Sequence, residues 1–186
     1  MEREVDKDRS RRQESIMRLV YLTTFWTIVI DFIAWFIIHM GVVLILIHIP
    51  SKSFDPEGWL YRTRKWEKNG EIFTKICRIK KWKEYLPDGS KLLKYKGFPK
   101  KRLEGKDGLY FISFLQETCR AELTHWIIML FAPLFFLWNK PGVGLIMIFY
   151  ALIENLPLIM TQRYNRTRLK RVLGGETLSS GSSDEN

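Results

Sequence analysis

Three long apolar stretches alternate with densely polar sequence. Residues 19–49 carry one formal charge, Asp31. As one helix these 31 residues would span about 46 Å, more than the roughly 30 Å hydrocarbon core of a bilayer. The stretch must tilt, project or break, and Asp31 and Gly41 are its natural break points. It is too long for a cleaved signal peptide, and no small-x-small site follows it. The second stretch, residues 123–138, contains Pro133. The third, residues 143–161, carries Glu154, Asn155 and Pro157 near its end. Asn139-Lys140-Pro141-Gly142 between them predicts a tight helical hairpin. Proline is tolerated in such helices because neighbouring helices can satisfy the freed carbonyls.

The segment between the first and second stretches is basic and aromatic. Trp59, Tyr61, Trp66, Phe73, Trp82, Tyr85 and Tyr95 are interleaved with Arg62, Arg64, Lys65, Arg78, Lys80, Lys81 and Lys83. Ile72, Phe73, Ile76, Ile79 and Trp82 recur at helical spacing. The pattern predicts an amphipathic helix lying in the interface of an anionic membrane. Asp88-Gly89 and Gly97-Phe98-Pro99 read as turns. Asp107 can cap a helix that begins near Gly108, follows Phe111, Phe114, Leu115 and Thr118 along one face, and runs into the second span. The fold class is mainly α: an N-terminal membrane helix and a C-terminal transmembrane hairpin, with a basic, aromatic-rich interfacial segment between them. The organisation is 1–18 basic segment, 19–49 first membrane helix, 50–122 interfacial region, 123–161 hairpin, and 162–186 a basic and then disordered tail, with Ser179 onward and the preceding Gly174-Gly175 marking the disordered part.

Composition supports this reading. Of 186 residues 46% are hydrophobic, and 30 Lys+Arg stand against 20 Asp+Glu. A disordered chain would lack the apolar runs. Six basic residues precede residue 19, eighteen lie in 50–122 and five in 162–186, but only Lys140 lies in the hairpin turn. The positive-inside rule asks for the middle segment, the tail and the N-terminus on the cytoplasmic side. A single crossing by residues 19–49 cannot meet all three demands. Either that stretch dips in and returns around Asp31, or one basic segment is translocated. The middle segment carries +8, eighteen basic against ten acidic residues. Lipid contact and topology explain this charge, and no nucleic-acid-binding motif accompanies it. Cys77 and Cys119 read as unpaired thiols with no zinc-site spacing.

Two polar clusters call for a chemical explanation. Glu122 and His125 are three residues apart and share a helix face. A carboxylate there can fix an imidazole tautomer, as a general base requires. The alternative is an interfacial polar pair anchoring the helix with Arg120. One E-x-x-H motif is too few for a di-metal site, and no metal is expected. At the end of the third span come Glu154, Asn155 and Pro157, then Gln162-Arg163-Tyr164-Asn165-Arg166-Thr167-Arg168. Asn155, Gln162, Asn165 and Arg166 fall near one stripe. Arg163, Arg166 and Arg168 suit phosphate or carboxylate, or simply anchor the helix at the membrane edge. Asp31 and His39, on a similar face of the first stretch, can pair with polar groups of the hairpin. Neither an H-x-x-x-x-D pair nor a G-x-S-x-G elbow is present.

Arg120-Ala121-Glu122-Leu123-Thr124-His125-Trp126, Asn155-Leu156-Pro157 and Gln162-Arg163-Tyr164-Asn165-Arg166-Thr167-Arg168-Leu169 stand in an order and at separations that resemble a known family. It is that of the glycosyl-4,4'-diaponeurosporenoate acyltransferases, small membrane proteins of staphyloxanthin-type carotenoid biosynthesis. The specific resemblance covers residues 120–169. It departs from the family at Thr167, where members carry Pro, and in the acidic, Ser-rich tail. What it implies is O-acylation: transfer of a fatty acyl chain to a sugar hydroxyl of a glycosylated C30 carotenoid or another glycolipid. His125 would be the base and Glu122 its orienting partner. Arg120, Asn155, Gln162, Arg163, Tyr164, Asn165, Arg166 and Arg168 would bind substrate, with the arginines on the anionic end of the donor and Asn155 or Asn165 near the oxyanion. The co-substrate would be an acyl thioester of CoA or a carrier protein, with no cofactor. Partners would be membrane lipids and other enzymes of the pathway, and the location the cell membrane, with several crossings. The competing reading is a non-catalytic scaffold or lipid-binding protein. It differs in needing no polar neighbour for His125.

Overall fold

The structure, a computed structural model, describes residues 20, 22–82 and 108–180. The turns expected at Asp88-Gly89 and Gly97-Pro99, and the Asp107 cap, lie outside the described residues. Five α-helices are present among them: α1 Thr24–Ile47, α2 Glu71–Lys75, α3 Ile79–Trp82, α4 Gly108–Phe131 and α5 Pro141–Ser180. The described residues contain no strand. Three helical stretches, Thr24–Ile47, Phe111–Leu137 and Pro141–Arg171, are long and apolar enough to cross a membrane. The chain divides into two compact units. Among the described residues, an apolar unit comprises residues 20, 22–48 and 124–156, and a basic unit residues 49–82, 108–123 and 157–180.

In the apolar unit, α1 runs unbroken through Asp31 and Gly41. Its 24 residues span about 36 Å, which a modest tilt fits to a bilayer. The expected break is absent because Asp31 is satisfied within the unit. Its Oδ1 accepts from Trp138 Nε1 and from Asn139 Nδ2, each at 2.7 Å. A continuous α1 also excludes the re-entrant path. The C-terminus is closed by His48, whose Nδ1 donates to the Leu44 carbonyl at 2.6 Å, and Pro50 follows. Phe25, Phe32, Phe36, Ile37 and Ile45 all project outward. An exposed apolar surface of that extent suits lipid rather than water.

Pro133 ends α4 and converts Ala132–Leu137 to a 3-10 turn. α5 begins at Pro141, where a missing N–H costs nothing. The hairpin closes tightly at Gly144. A β-carbon there would lie 2.6 Å from the Phe136 ring. Trp35 of α1 stacks on Phe135 with ring centroids 4.6 Å apart, and its Nε1 donates to Met147 Sδ. α5 continues through Pro157, and through Gly174-Gly175 to Ser180, beyond the expected end. Two glycines weaken a helix without forbidding it.

In the basic unit the expected amphipathic helix is broken. α2 and α3 are separated at Arg78, which takes φ 47°. The Cys77 carbonyl, left without a helical partner, accepts from Trp82 Nε1 at 2.7 Å. Phe73 and Ile79 do not face lipid but pack on Tyr164, flanked by Ile72, Trp82 and Met160. Ile76 points outward at 73% exposure. Cys77 and Cys119 are both free thiols.

Candidate active site

The basic unit is organised around buried charge. Glu122 is fully buried on α4, and both its oxygens accept from arginines of α5. Arg163 donates from Nε to Glu122 Oε1 at 2.7 Å, from Nη1 to Glu67, and from Nη2 to the Leu60 carbonyl. Arg166 donates from Nη2 to Glu122 Oε2 and from Nε to the Tyr61 carbonyl at 3.1 Å. Its guanidinium lies over the Tyr61 ring. Arg163 and Arg166 are three positions apart, so successive turns of α5 deliver both guanidiniums to one carboxylate. Two carboxylates against two guanidiniums make the cluster neutral, the condition for keeping charge in a low-dielectric interior. The Tyr61 phenol is pushed up to about 12, first by burial and then by the fields of Cys119 and Glu122, with Arg166 opposing.

Arg120 makes a second tie. Its Nη1 lies 2.9 Å from both oxygens of Glu117, while Nη2 donates to the Ile49 carbonyl at 2.7 Å and Ser51 Oγ at 3.0 Å. Arg120, Arg163 and Arg166 thus turn inward onto protein acceptors. Tyr164 belongs to the core with Phe73 and Ile79, and Gln162 and Asn165 are partly buried. Arg168 is exposed and lines a cavity with Lys75 and Arg171. Glu67, the second carboxylate of the cluster, is 1% exposed and was not singled out by sequence. It is one acid among many in a basic stretch, and nothing in its spacing points across 96 residues to Arg163.

The apolar unit holds His125. Its Nδ1 lies 2.9 Å from Asn155 Oδ1. Asn155 is buried at 1% exposure, and its Nδ2 donates back to the Ala151 carbonyl at 2.9 Å. That second bond determines which end of the amide faces the ring. Oδ1 can only accept, so Nδ1 carries the hydrogen and a neutral His125 keeps its lone pair on Nε2. A second polar pair lies in the same unit, where His39 Nε2 is 3.5 Å from Glu154 Oε1 and His39 Nδ1 donates to the Trp35 carbonyl. Among the described residues no three His, Cys, Asp or Glu side chains gather as a metal site.

The sequence-expected residues therefore fall into two sets. Glu122, Arg163 and Arg166 come together in the basic unit, and His125 and Asn155 in the apolar unit. Asn155 is engaged at both ends of its amide.

A family model described as glycosyl-4,4'-diaponeurosporenoate acyltransferase matches residues 57–174, which include every residue of both sets. A protein of that name from Staphylococcus haemolyticus (strain JCSC1435) is 33% identical over 139 residues, covering 73% of this chain and 78% of the relative. One from Staphylococcus aureus (strain bovine RF122 / ET3-1) is 34% identical over 140 residues, covering 75% and 83%. Another, from Staphylococcus aureus (strain N315), is 34% identical over 141 residues. No solved structure matches. With relatives this similar over most of both chains, and a family model covering more than half of this one, the chain belongs to the glycosyl-4,4'-diaponeurosporenoate acyltransferase family.

Proposed function

We propose that this protein is a multi-pass cell-membrane O-acyltransferase that esterifies a sugar hydroxyl of a glycosylated C30 carotenoid with a fatty acyl chain. The named relatives support the reaction class and the acceptor. The observation that carries the mechanism is the His125–Asn155 pair. A base for a lipid-borne hydroxyl must be held in one tautomer at an apolar site, and Asn155 does this without adding charge.

In the reaction, His125 Nε2 takes the proton of the sugar hydroxyl as its oxygen attacks the carbonyl carbon of an acyl thioester. The C–O bond forms and the tetrahedral intermediate collapses, breaking the C–S bond. The thiolate leaves with the electron pair and receives the proton from the imidazolium. Both substrates are lipidic or lipid-tailed, which suits an enzyme with membrane-crossing helices. Asn155, rather than Glu122, is the positioning residue for the imidazole, since both Glu122 oxygens accept from arginines. Arg120, Arg163 and Arg166 build the basic unit and do not hold the donor. A non-catalytic scaffold needs no polar partner on His125.

The test is expression in cells that make the glycosylated carotenoid, followed by lipid extraction and mass spectrometry. Wild-type protein adds a fatty-acyl mass to the glycolipid. His125→Ala loses it while accumulating in the membrane at the same level. Full acylation by the variant would remove His125 as the base.

A further inference from the structure

The basic unit contains a cavity of about 330 Å³ that the proposed chemistry has not used. One wall is α5, with Tyr164, Thr167, Arg168 and Arg171, and the other is α2 and the glycine before it, with Gly70, Glu71, Thr74 and Lys75. Three cationic side chains against one carboxylate leave the lining with a charge of +2. Two of these cations, Arg168 and Lys75, lie outside the buried ion cluster. Arg168 is exposed, and Lys75 is 73% exposed with Nζ 2.8 Å from Glu71 Oε2. An ammonium has three donors, so Lys75 keeps donors beyond that pair. The threonine hydroxyls are committed to backbone carbonyls: Thr167 Oγ1 donates to Arg163 and Thr74 Oγ1 to Glu71. Recognition here is therefore by cations.

Gly70 sets the width of the cavity. It adopts φ +85°, and a β-carbon on it would come within 3.0 Å of Thr167 Cγ2. Only glycine lets the chain turn there and bring α2, with Lys75, alongside Arg168 and Arg171. The result is a shaped cationic pocket, large enough for a phosphorylated head group.

We propose that this cavity binds the phosphate group of the thioester acyl donor. The inference rests on the acyltransferase reading, since both CoA and carrier-protein thioesters reach their sulfur through a phosphorylated pantetheine arm. Arginine and lysine together provide a forked and a point-charge contact to phosphate oxygens. Glu71 opposes the ligand, and Lys75 and Arg171 moderate that opposition. A phospholipid head group offers the same phosphate chemistry, so the experiment separates the two sources.

The full chain is placed in nanodiscs of neutral phosphatidylcholine and titrated with 4'-phosphopantetheine and with pantetheine, which differ by one phosphate. The phosphorylated probe binds at least tenfold tighter. Arg168→Gln and Lys75→Gln each weaken it about tenfold, and Glu71→Gln tightens it severalfold. The gain with Glu71→Gln cannot come from misfolding. His125→Ala binds the probe as wild type does, so the result stands apart from catalysis. Equal binding of both probes, or no response to the three substitutions, overturns the site. If the phosphorylated probe does not bind while phosphatidylglycerol in the disc binds in an Arg168-dependent way, the donor assignment is overturned in favour of a lipid head group.

Discussion

Glu122 and Arg163, 41 residues apart in sequence, meet with Oε1 and Nε 2.7 Å apart, and the other oxygen of the same carboxylate takes Arg166. Removing the carboxylate would leave the buried Arg166 guanidinium without its carboxylate and Arg163 with Glu67 alone. Glu122→Ala is expected to destabilise the protein by about 3–5 kcal/mol, the range for breaking a buried pair from one side. Lys170→Ala removes an ion pair to Glu57, which is 73% exposed, and is expected to cost less than about 1 kcal/mol. Thermal unfolding of the full chain in detergent, read by loss of monodisperse protein, compares the two. Equal shifts would show that the cluster does not hold the unit together.

Asn155→Ala leaves the His125 ring free to turn. The turnover number for acyl transfer should fall about a hundredfold, the scale of a catalytic group displaced by an ångström, with little change in the KM for the glycolipid. A rise in KM at unchanged turnover would assign Asn155 to substrate binding instead.

Asp31 distinguishes shape from charge. Asp31→Asn keeps an oxygen for Trp138 and Asn139 and should be tolerated. Asp31→Ala leaves two donors without their acceptor inside the apolar unit and should cost about 2 kcal/mol or more. Membrane accumulation and thermal stability of the pair of variants decide it. Equal tolerance of both would remove Asp31 as a structural acceptor.

Gly144→Ala places a methyl group against the Phe136 ring and should cost about 1–3 kcal/mol through overpacking. Combining it with Phe136→Leu should recover part of the loss, measured by the same melting assay.

Tyr61 gives a pH prediction. Its folded pKa is raised to about 12 from the ordinary value near 10. The folded state holds this proton more tightly than the unfolded chain does. The associated stability is therefore intact below pH 10 and is lost as pH rises from 10 towards 12. Ultraviolet titration of wild type minus Tyr61→Phe should show a phenolate appearing near pH 12. Appearance at pH 10 would mean the ring is not buried as described.

Much of the helical architecture was legible from the pattern of apolar runs and breaks. Apolar length identifies a span, and Asn139–Gly142 marks the hairpin because proline and glycine act locally. The pairing of Asp31 with the hairpin was also foreseeable, since a lone carboxylate in an apolar run needs a partner. The break at Arg78 was not. Helical spacing from Ile72 to Trp82 describes a face, but only Tyr164, 85 residues beyond Ile79, determines what that face packs on and where the chain must bend. The site shows the same limit. Sequence spacing linked His125 to Glu122 because they are near neighbours on one helix. The carboxylate goes to arginines of α5 instead, and the imidazole to Asn155. Long-range partners of equal chemical merit cannot be ranked from one helix.

Asn155 has one more consequence. A carboxamide brings no ion into oil, so the resting pair needs neither a counter-ion nor a water channel to be tolerated there. Under the proposed mechanism it would also offer an imidazolium no salt bridge in which to become trapped. A captured hydrogen would then be free to pass to departing sulfur, returning the ring to its starting form for the next acceptor.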